Sequence, residues 1–447
     1  MMKNLYNNFI RGITTNFVEW IIYNIIFTIH QITLFKNTEL ALFGQQGVLF
    51  ALLYTTIALS SLGLDLSLAP FFSYAQQSKK NWRSIITTQL VLQIGIMGVG
   101  ACIALYFYPS WPTRAVMLLF IGSTITEGLR KLIKIILHLS FKHGLRISLE
   151  LGTLIIYVSL VWFPHIVWGI SFSLYSLVLP FFIATAIGCV LSAIYLYGYY
   201  RTLPNGAAEL PHSVAHRIIT MRCNTALYSI GHQIFSGNIL LPYIALHIGF
   251  ATAGVWSLVQ TLTQTITNLM HKISGFTAQA YLAHVKEEST IIKQQTFSTI
   301  TNILNQIIYA IIIVLCIATY IFISSRCDTP WLVVPIIIYI CMTIIEQWVS
   351  TYEKFYLNEE RSGTLAIFNA VLSIASLLIM VANFSLTIFL TVLLALRIIS
   401  FILLMTLSYR LWRIKPNWRL NVRYFIVALI LMALIALIIG YKLTCID

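Results

Sequence analysis

Apolar residues recur along this chain in stretches of about twenty or more, separated by short polar segments. The pattern predicts helices at 13–34, 44–72, 84–108, 113–138, 147–168 and 171–199. A hydrophilic segment, RTLPNGAAELPHSVAHR (201–217), follows, and then helices at 222–248, 252–283, 297–324, 330–352, 363–383, 385–409 and 423–441. At about 1.5 Å of rise per residue, each is long enough to cross a hydrocarbon core of roughly 30 Å. The expected fold is an all-α polytopic membrane protein of 12–13 transmembrane helices. Its two six-helix lobes are expected to be related by pseudo-twofold symmetry, with an extra C-terminal helix. The N-lobe takes residues 1–200, a cytoplasmic linker 201–221, the C-lobe 222–412, and a cytoplasmic basic segment with the extra helix 413–447. Pro180, Pro242 and Pro335 fall inside spans, where each removes one backbone donor and permits a kink.

Composition agrees with a lipid-embedded chain. Of 447 residues, 59% are hydrophobic and only 9% charged, with mean hydropathy +0.85. A soluble domain carries about 25% charged residues. The net charge of +14 does not indicate a nucleic-acid partner, because the charges sit in short loops and form no soluble patch. With the N-terminus in the cytoplasm, Lys36, Arg114, Arg326 and Lys442 fall outside, and Lys272 and Arg397 lie within spans. All other basic residues fall on the cytoplasmic side, as the positive-inside rule requires. The first apolar run is long enough to remain as a helix, so no cleaved signal peptide is expected. The seven cysteines show no metal spacing, and a disulfide between Cys327 and Cys445 is conceivable only because both are assigned to the outer side. Walker-type, HExxH and GxSxG motifs are absent, so neither ATP hydrolysis, an enzyme, a cofactor nor a metal is expected.

A weak internal repeat accompanies the span count. Laid on residues 47–65, GVWSLVQTLTQTITNLMHK (254–272) pairs Gly47 with Gly254, Val48 with Val255, Thr56 with Thr263 and Leu62 with Leu269. The last pair sets Asp65 against Lys272. Two readings stand: a gate closing between the lobes, or two charges placed independently near the inner headgroups.

Polar residues inside spans mark faces turned to protein or water. Span one carries Asn16, Glu19, Tyr23 and His30 along one face. Span eight carries Gln260, Gln264, Thr267 and His271 beside Thr261, Thr265, Asn268 and Lys272; two adjacent stripes suggest a hydrated cavity, with helix–helix hydrogen bonding as the alternative. Glu127 with Arg130 and Lys131, and Glu150 with Arg146, have the spacing of local interfacial ion pairs. Glu19, Asp65, Lys272, Glu346 and Arg397 have no such neighbour. Arg397 lies about 18 Å below the outer end of its span. It must meet a carboxylate, a phosphate or water, and Glu19, Glu346 and an anionic lipid headgroup are the candidates.

Two stretches, LALFGQQGVLFALLYTTIALSSLGLDLSLAPFFS (40–73) and LPYIALHIGFATAGVWSLVQTLTQ (241–264), resemble the second helix and the seventh-to-eighth-helix passage of bacterial O-antigen and polysaccharide flippases. These belong to the multidrug/oligosaccharidyl-lipid/polysaccharide exporter superfamily. The pattern covers roughly residues 10–412 and is degenerate; the thirteenth span departs from the usual even count. The resemblance implies a V-shaped, alternating-access transporter of the bacterial inner membrane. It would flip a lipid-pyrophosphate-linked oligosaccharide to the periplasmic leaflet, with membrane lipids and other polysaccharide-assembly proteins as partners. By analogy, Arg397 and Lys272 would hold the pyrophosphate and Gln260, Gln264, Asn268 and Tyr23 the sugars, with His271 a further substrate-binding candidate. Glu19, Asp65, His30 and Glu346 would serve coupling or gating. A cation-coupled multidrug exporter of the same fold is the second reading; its usual first-helix carboxylate near a proline is matched here by Glu19 without a proline. A membrane-embedded glycosyltransferase or polymerase is the third, and the short outer loops disfavour it.

Overall fold

The computed structural model describes residues 2–61, 72–106, 108, 112–140, 142–205, 212–235, 239–263, 333–358, 362–381, 385–412 and the positions 423, 426 and 430. Among these residues the regular elements are all helices. Helix α1, Met2–Asn37, ends where the Asn37 amide and the Thr38 hydroxyl donate back to the carbonyls of Thr33 and Leu34. After α2, Leu40–Ser60, helix α3 covers Lys79–Tyr106 and includes a π-helical turn at Arg83–Thr87. Ser78 caps its start, its hydroxyl accepting from the Asn81 amide at 3.1 Å. Helix α4 is Arg114–Leu139 and α5 is His143–Trp168, closed by Gly169 at φ 63°. A Ser173/Ser176 capping box opens α6, Leu174–Arg201. Then come α7, His212–Phe235, α8, Leu240–His247, and α9, residues 250–263. Gly249 separates the last two at φ 129°, a conformation that favours glycine. Val333–Asn358, Ser362–Val381 and Leu386–Trp412 form α10, α11 and α12.

Five of these helices are long and apolar enough to cross a membrane: α2, α3, α5, α6 and α12. The helices differ from the apolar runs in length. Helix α1 starts well before residue 13, and α7 takes in His212–Arg217 of the hydrophilic segment. Of the expected span 222–248, residues 222–235 lie in α7 and 240–247 in α8, and 236–238 lie outside the described residues. Hydropathy reports only the part of a helix that meets hydrocarbon, whereas a polar stretch free of breakers continues the helix into water. Residues 264–283, the span at 297–324 and nearly all of 423–441 lie outside the described residues.

The chain divides into two compact units, Met1–Leu258 with Ala366–Ser373, and Val259–Leu365 with Ile374–Asp447. In the first, α4 packs along α6 and against α2 and α3, α5 packs on α6, and α1 packs on α5. Helix α2 also meets α9 with almost no space between backbones: a Cβ on Gly44 would overlap the Phe250 carbonyl oxygen, and one on Gly254 the Leu40 carbonyl. An apolar cluster around Phe72, Trp82, Ile86, Ile136 and Leu196 joins α3, α4 and α6 near the α4–α5 turn. In the second unit α10 packs along α12.

Polarity in both units is the reverse of a soluble protein. Large apolar side chains are exposed on α1 (Ile25, Ile29), α3 (Val99, Ile103), α5 (Ile155, Ile166) and α6 (Val190, Ile194). Gln46, Gln93, Glu127, Arg130 and Thr185 are buried in the first unit, and Glu353, Arg397 and Ser408 in the second. An apolar exterior against acyl chains and a polar interior satisfied by protein is the solution available to a lipid-embedded bundle.

Candidate functional site

Within the first unit, polar faces of α1, α2, α4 and α5 form a connected set. On α4, Glu127, Arg130, Lys131 and Lys134 follow the spacing of a single helical face. The Arg130 guanidinium grips Glu127 with two donors, Nε to Oε2 at 2.7 Å and Nη2 to Oε1 at 3.0 Å. Its third donor, Nη1, crosses to α5 and reaches Glu150 Oε2 at 2.8 Å. Lys134 Nζ lies 2.8 Å from the other Glu150 oxygen. Gly188 on α6 leaves room for this network, since a Cβ there would sit 3.0 Å from Arg130 Cδ and 2.5 Å from the Thr153 hydroxyl. The Lys131 ammonium lies 4.2 Å from the ring centroid of Tyr54 on α2, within cation–π range. Tyr23 on α1 and Tyr54 are within electrostatic reach of Glu127, Arg130 and Glu150.

A second polar group lies further along α5. Trp162 Nε1 donates to His30 Nδ1 at 2.9 Å. Indole nitrogen is a donor only, so His30 carries its proton on Nε2. That atom is buried without a partner among the described residues. Tyr157 packs edge-on against His30 and accepts from the Gln46 amide at 3.1 Å, while Gln46 Oε1 is likewise buried and unpartnered among the described residues.

In the second unit Arg397, fully buried on α12, meets Glu346 on α10, with Nε 2.6 Å from Oε2. Of the anions that the sequence left open for Arg397, this is the Glu346 carboxylate.

The structure therefore brings Tyr23 and His30 to the polar set of α1, α2, α4 and α5, and Arg397 to Glu346. Gln260 is buried on α9. Glu19 lies on α1, one turn before Tyr23. Asp65, Gln264, Asn268, His271 and Lys272 lie outside the described residues. One expectation is corrected. Glu127, Arg130 and Glu150 are not paired separately at the membrane surface; they form one buried network in which Glu150 takes its partners from α4, Arg130 and Lys134. A burial test on helical spacing would have flagged it: four charges on one face of a predicted span exceed what local pairing needs. Gln46, Tyr157 and Trp162 had no such signal, since none belongs to a polar stripe at helical spacing within its apolar run.

No protein-family model matches the chain, and no curated protein matches it in sequence. Solved structures do match its fold. An outward-facing multidrug resistance MATE family transporter of the MOP superfamily aligns over 90% of this chain and 97% of its own, with TM-score 0.59 and 10% identity. An inward-facing transporter of the same description aligns over 87% and 100%, with TM-score 0.58 and 9% identity. A MOP superfamily transporter from Pyrococcus furiosus, described as having a binding pocket of reverse polarity, aligns over 89% and 96%, with TM-score 0.51 and 10% identity. The chain thus has the two-lobe, all-helical fold found in transporters of the MOP superfamily, the multidrug/oligosaccharidyl-lipid/polysaccharide exporters.

Proposed function

We propose that this protein is a membrane transporter that moves a lipid-pyrophosphate-linked oligosaccharide from the cytoplasmic to the periplasmic leaflet by alternating access. The reading takes the chain as two six-helix lobes, 1–200 and 222–412, in a bacterial inner membrane with the N-terminus inside. The polar interior of the first unit supports it most directly. Tyr23, Tyr54, Tyr157, Trp162, His30 and Gln46 offer aromatic faces and hydrogen-bonding groups of the kind that suit sugar rings and hydroxyls. The adjoining ion network supplies cationic groups suited to a pyrophosphate. A fold shared with MATE transporters does not choose the cargo, because function belongs to the site and not to the fold. A cation-coupled multidrug exporter remains the second reading on that likeness, and the excess of cations over carboxylates on α4 and α5 weighs against a cationic cargo.

Proteoliposomes containing the purified full-length chain test the two readings side by side. Translocation of a fluorescent prenyl-pyrophosphate glycan, with no efflux of a cationic dye, is the expected result. Dye efflux driven by a sodium or proton gradient, with the glycolipid left in place, would overturn it.

A further inference from the structure

The ion network of the first unit holds more cations than it neutralises, and its geometry identifies which one is left over. Both oxygens of Glu127 are taken by Arg130. One oxygen of Glu150 is taken by Arg130 and the other by Lys134. All four carboxylate oxygens therefore have a cationic partner, and Lys131 has none. Among the described residues its ammonium makes no ion pair and no hydrogen bond; its contact is the face of the Tyr54 ring. An aromatic face attracts a cation but supplies no negative charge. Lys131 lies about 12 Å short of the α4 end at Leu139 and is partly exposed. Its ammonium is placed over a ring of the neighbouring helix α2. Nearby, Tyr54 and Tyr23 lie within electrostatic reach of each other. An ammonium without a direct ion pair among the described residues, with Glu127 and Glu150 within electrostatic reach, and two tyrosines thus lie on α4, α2 and α1, inside a bundle with an apolar exterior.

We propose that Lys131, with the hydroxyls of Tyr54 and Tyr23, forms a binding site for a phosphate- or pyrophosphate-bearing anion. A half-buried ammonium without a direct ion pair gains from a close anion, and an incoming one supplies the direct contact that Glu127 and Glu150 do not, because their oxygens are already bound by Arg130 and Lys134. Arg130 and Lys134 act as positioning residues: they bind the oxygens of the two carboxylates, so that neither pairs directly with Lys131. Phosphate oxygens accept well from an ammonium and from phenols, giving charge-assisted hydrogen bonds. The site centres on Lys131 of the fourth helix, which the sequence did not assign to the cargo, and shares Tyr23 with the residues that it did. Its lipid-borne form rests on the proposed function; its affinity for the free anion does not.

The test uses the full-length chain in phosphatidylcholine nanodiscs. Accessible lysines are acetylated with sulfo-NHS-acetate, and modification of Lys131 is read by peptide mass spectrometry, with exposed Lys36 as the internal control. Inorganic pyrophosphate, or a polyprenyl pyrophosphate incorporated in the disc, is expected to slow acetylation of Lys131 at least fivefold and to leave Lys36 unchanged. Protection by the inorganic ion identifies a free-anion site, and protection by the prenyl form alone a headgroup site; either supports the proposal. Pyrophosphate or prenyl-pyrophosphate affinity should fall tenfold or more in Lys131→Gln and stay within threefold in Lys131→Arg. Unchanged acetylation with both anions overturns the site, as does equal affinity of wild type and Lys131→Gln. The acetylation arm needs no variant, so a misfolded substitution leaves the proposal exposed to refutation. Protection without glycolipid translocation would remove the proposed function and keep the site, and translocation without protection would do the reverse.

Discussion

Arg130 is the residue on which the first unit's polar interior depends. It neutralises Glu127 through two donors and ties α4 to α5 through the third. Its planar fork makes that possible, and lysine would not reproduce it. Removing one partner of a buried ionic network leaves its counter-charges uncompensated, at about 3–5 kcal/mol. Arg130→Met is therefore expected to lower the thermal unfolding midpoint of the detergent-solubilised protein strongly. Arg130→Met combined with Glu127→Leu should recover a good part of the loss, because the carboxylate that needed the cation is also gone. Additive losses in this double-mutant cycle would show that the two residues do not act as a pair. Arg397 follows the same logic in the second unit. Its contact with Glu346 gives a fully buried guanidinium a protein counter-ion, so burial there needs no headgroup to explain it.

At the scale of elements, glycines decide which helices touch. Gly44 on α2 and Gly254 on α9 face backbone, and a Cβ at either position would overlap a carbonyl oxygen. Gly152 on α5 faces open space. The two sites should respond oppositely to the same change. Gly44→Ala forces α2 and α9 apart and is expected to cost about 1–3 kcal/mol, as overpacking does. Gly152→Ala gains about 0.5–1 kcal/mol of helix propensity and meets no obstacle. Thermal unfolding of the two variants, measured side by side, checks the contrast; a loss at Gly152 as large as that at Gly44 would mean that the α2–α9 crossing is not the cause. Helix ends followed ordinary local chemistry: Ser78 and Ser173 start helices, and Gly169 ends one.

For the whole molecule, orientation in the membrane is a matter of charge. Basic residues accumulate in alternate connections, among them Lys79, Lys80, Lys142 and Arg201. The segment after α6 is bound to the start of α3, with the Lys79 amide donating to the Pro204 carbonyl at 3.0 Å and Lys79 Nζ to Asn205 at 2.8 Å. These two connections therefore lie on the same side. A single cysteine placed at Pro204, in a background without native cysteines, is expected to react with a membrane-impermeant maleimide only after the cytoplasmic face is opened. Labelling in intact cells would invert the topology and, with it, the proposed direction of transport.

Much of the fold was legible in the sequence, because lipid imposes one rule on every span: about twenty apolar residues whose backbone bonds are satisfied internally. That rule reveals helices, their order and their approximate depth, and it holds for α2, α3, α5, α6 and α12 without reference to any neighbour. It marks where hydrocarbon begins, so it missed the polar extensions of α1 and α7. The site was legible only in part. Tyr23, His30 and Arg397 stood out as polar residues in apolar runs, but their partners did not: Trp162 for His30 lies far along the chain, and Glu346 was one of several candidates for Arg397. The charges of α4 and α5 show the boundary most clearly. Spacing along one helix predicted Glu127 with Arg130, which the structure contains. That Glu150 would take Arg130 and Lys134, and so leave Lys131 over, was decided by how α4 and α5 pack. Pairing between helices depends on their rotation and approach, which are set by packing against third helices such as α6 and are not encoded in the period of either sequence alone.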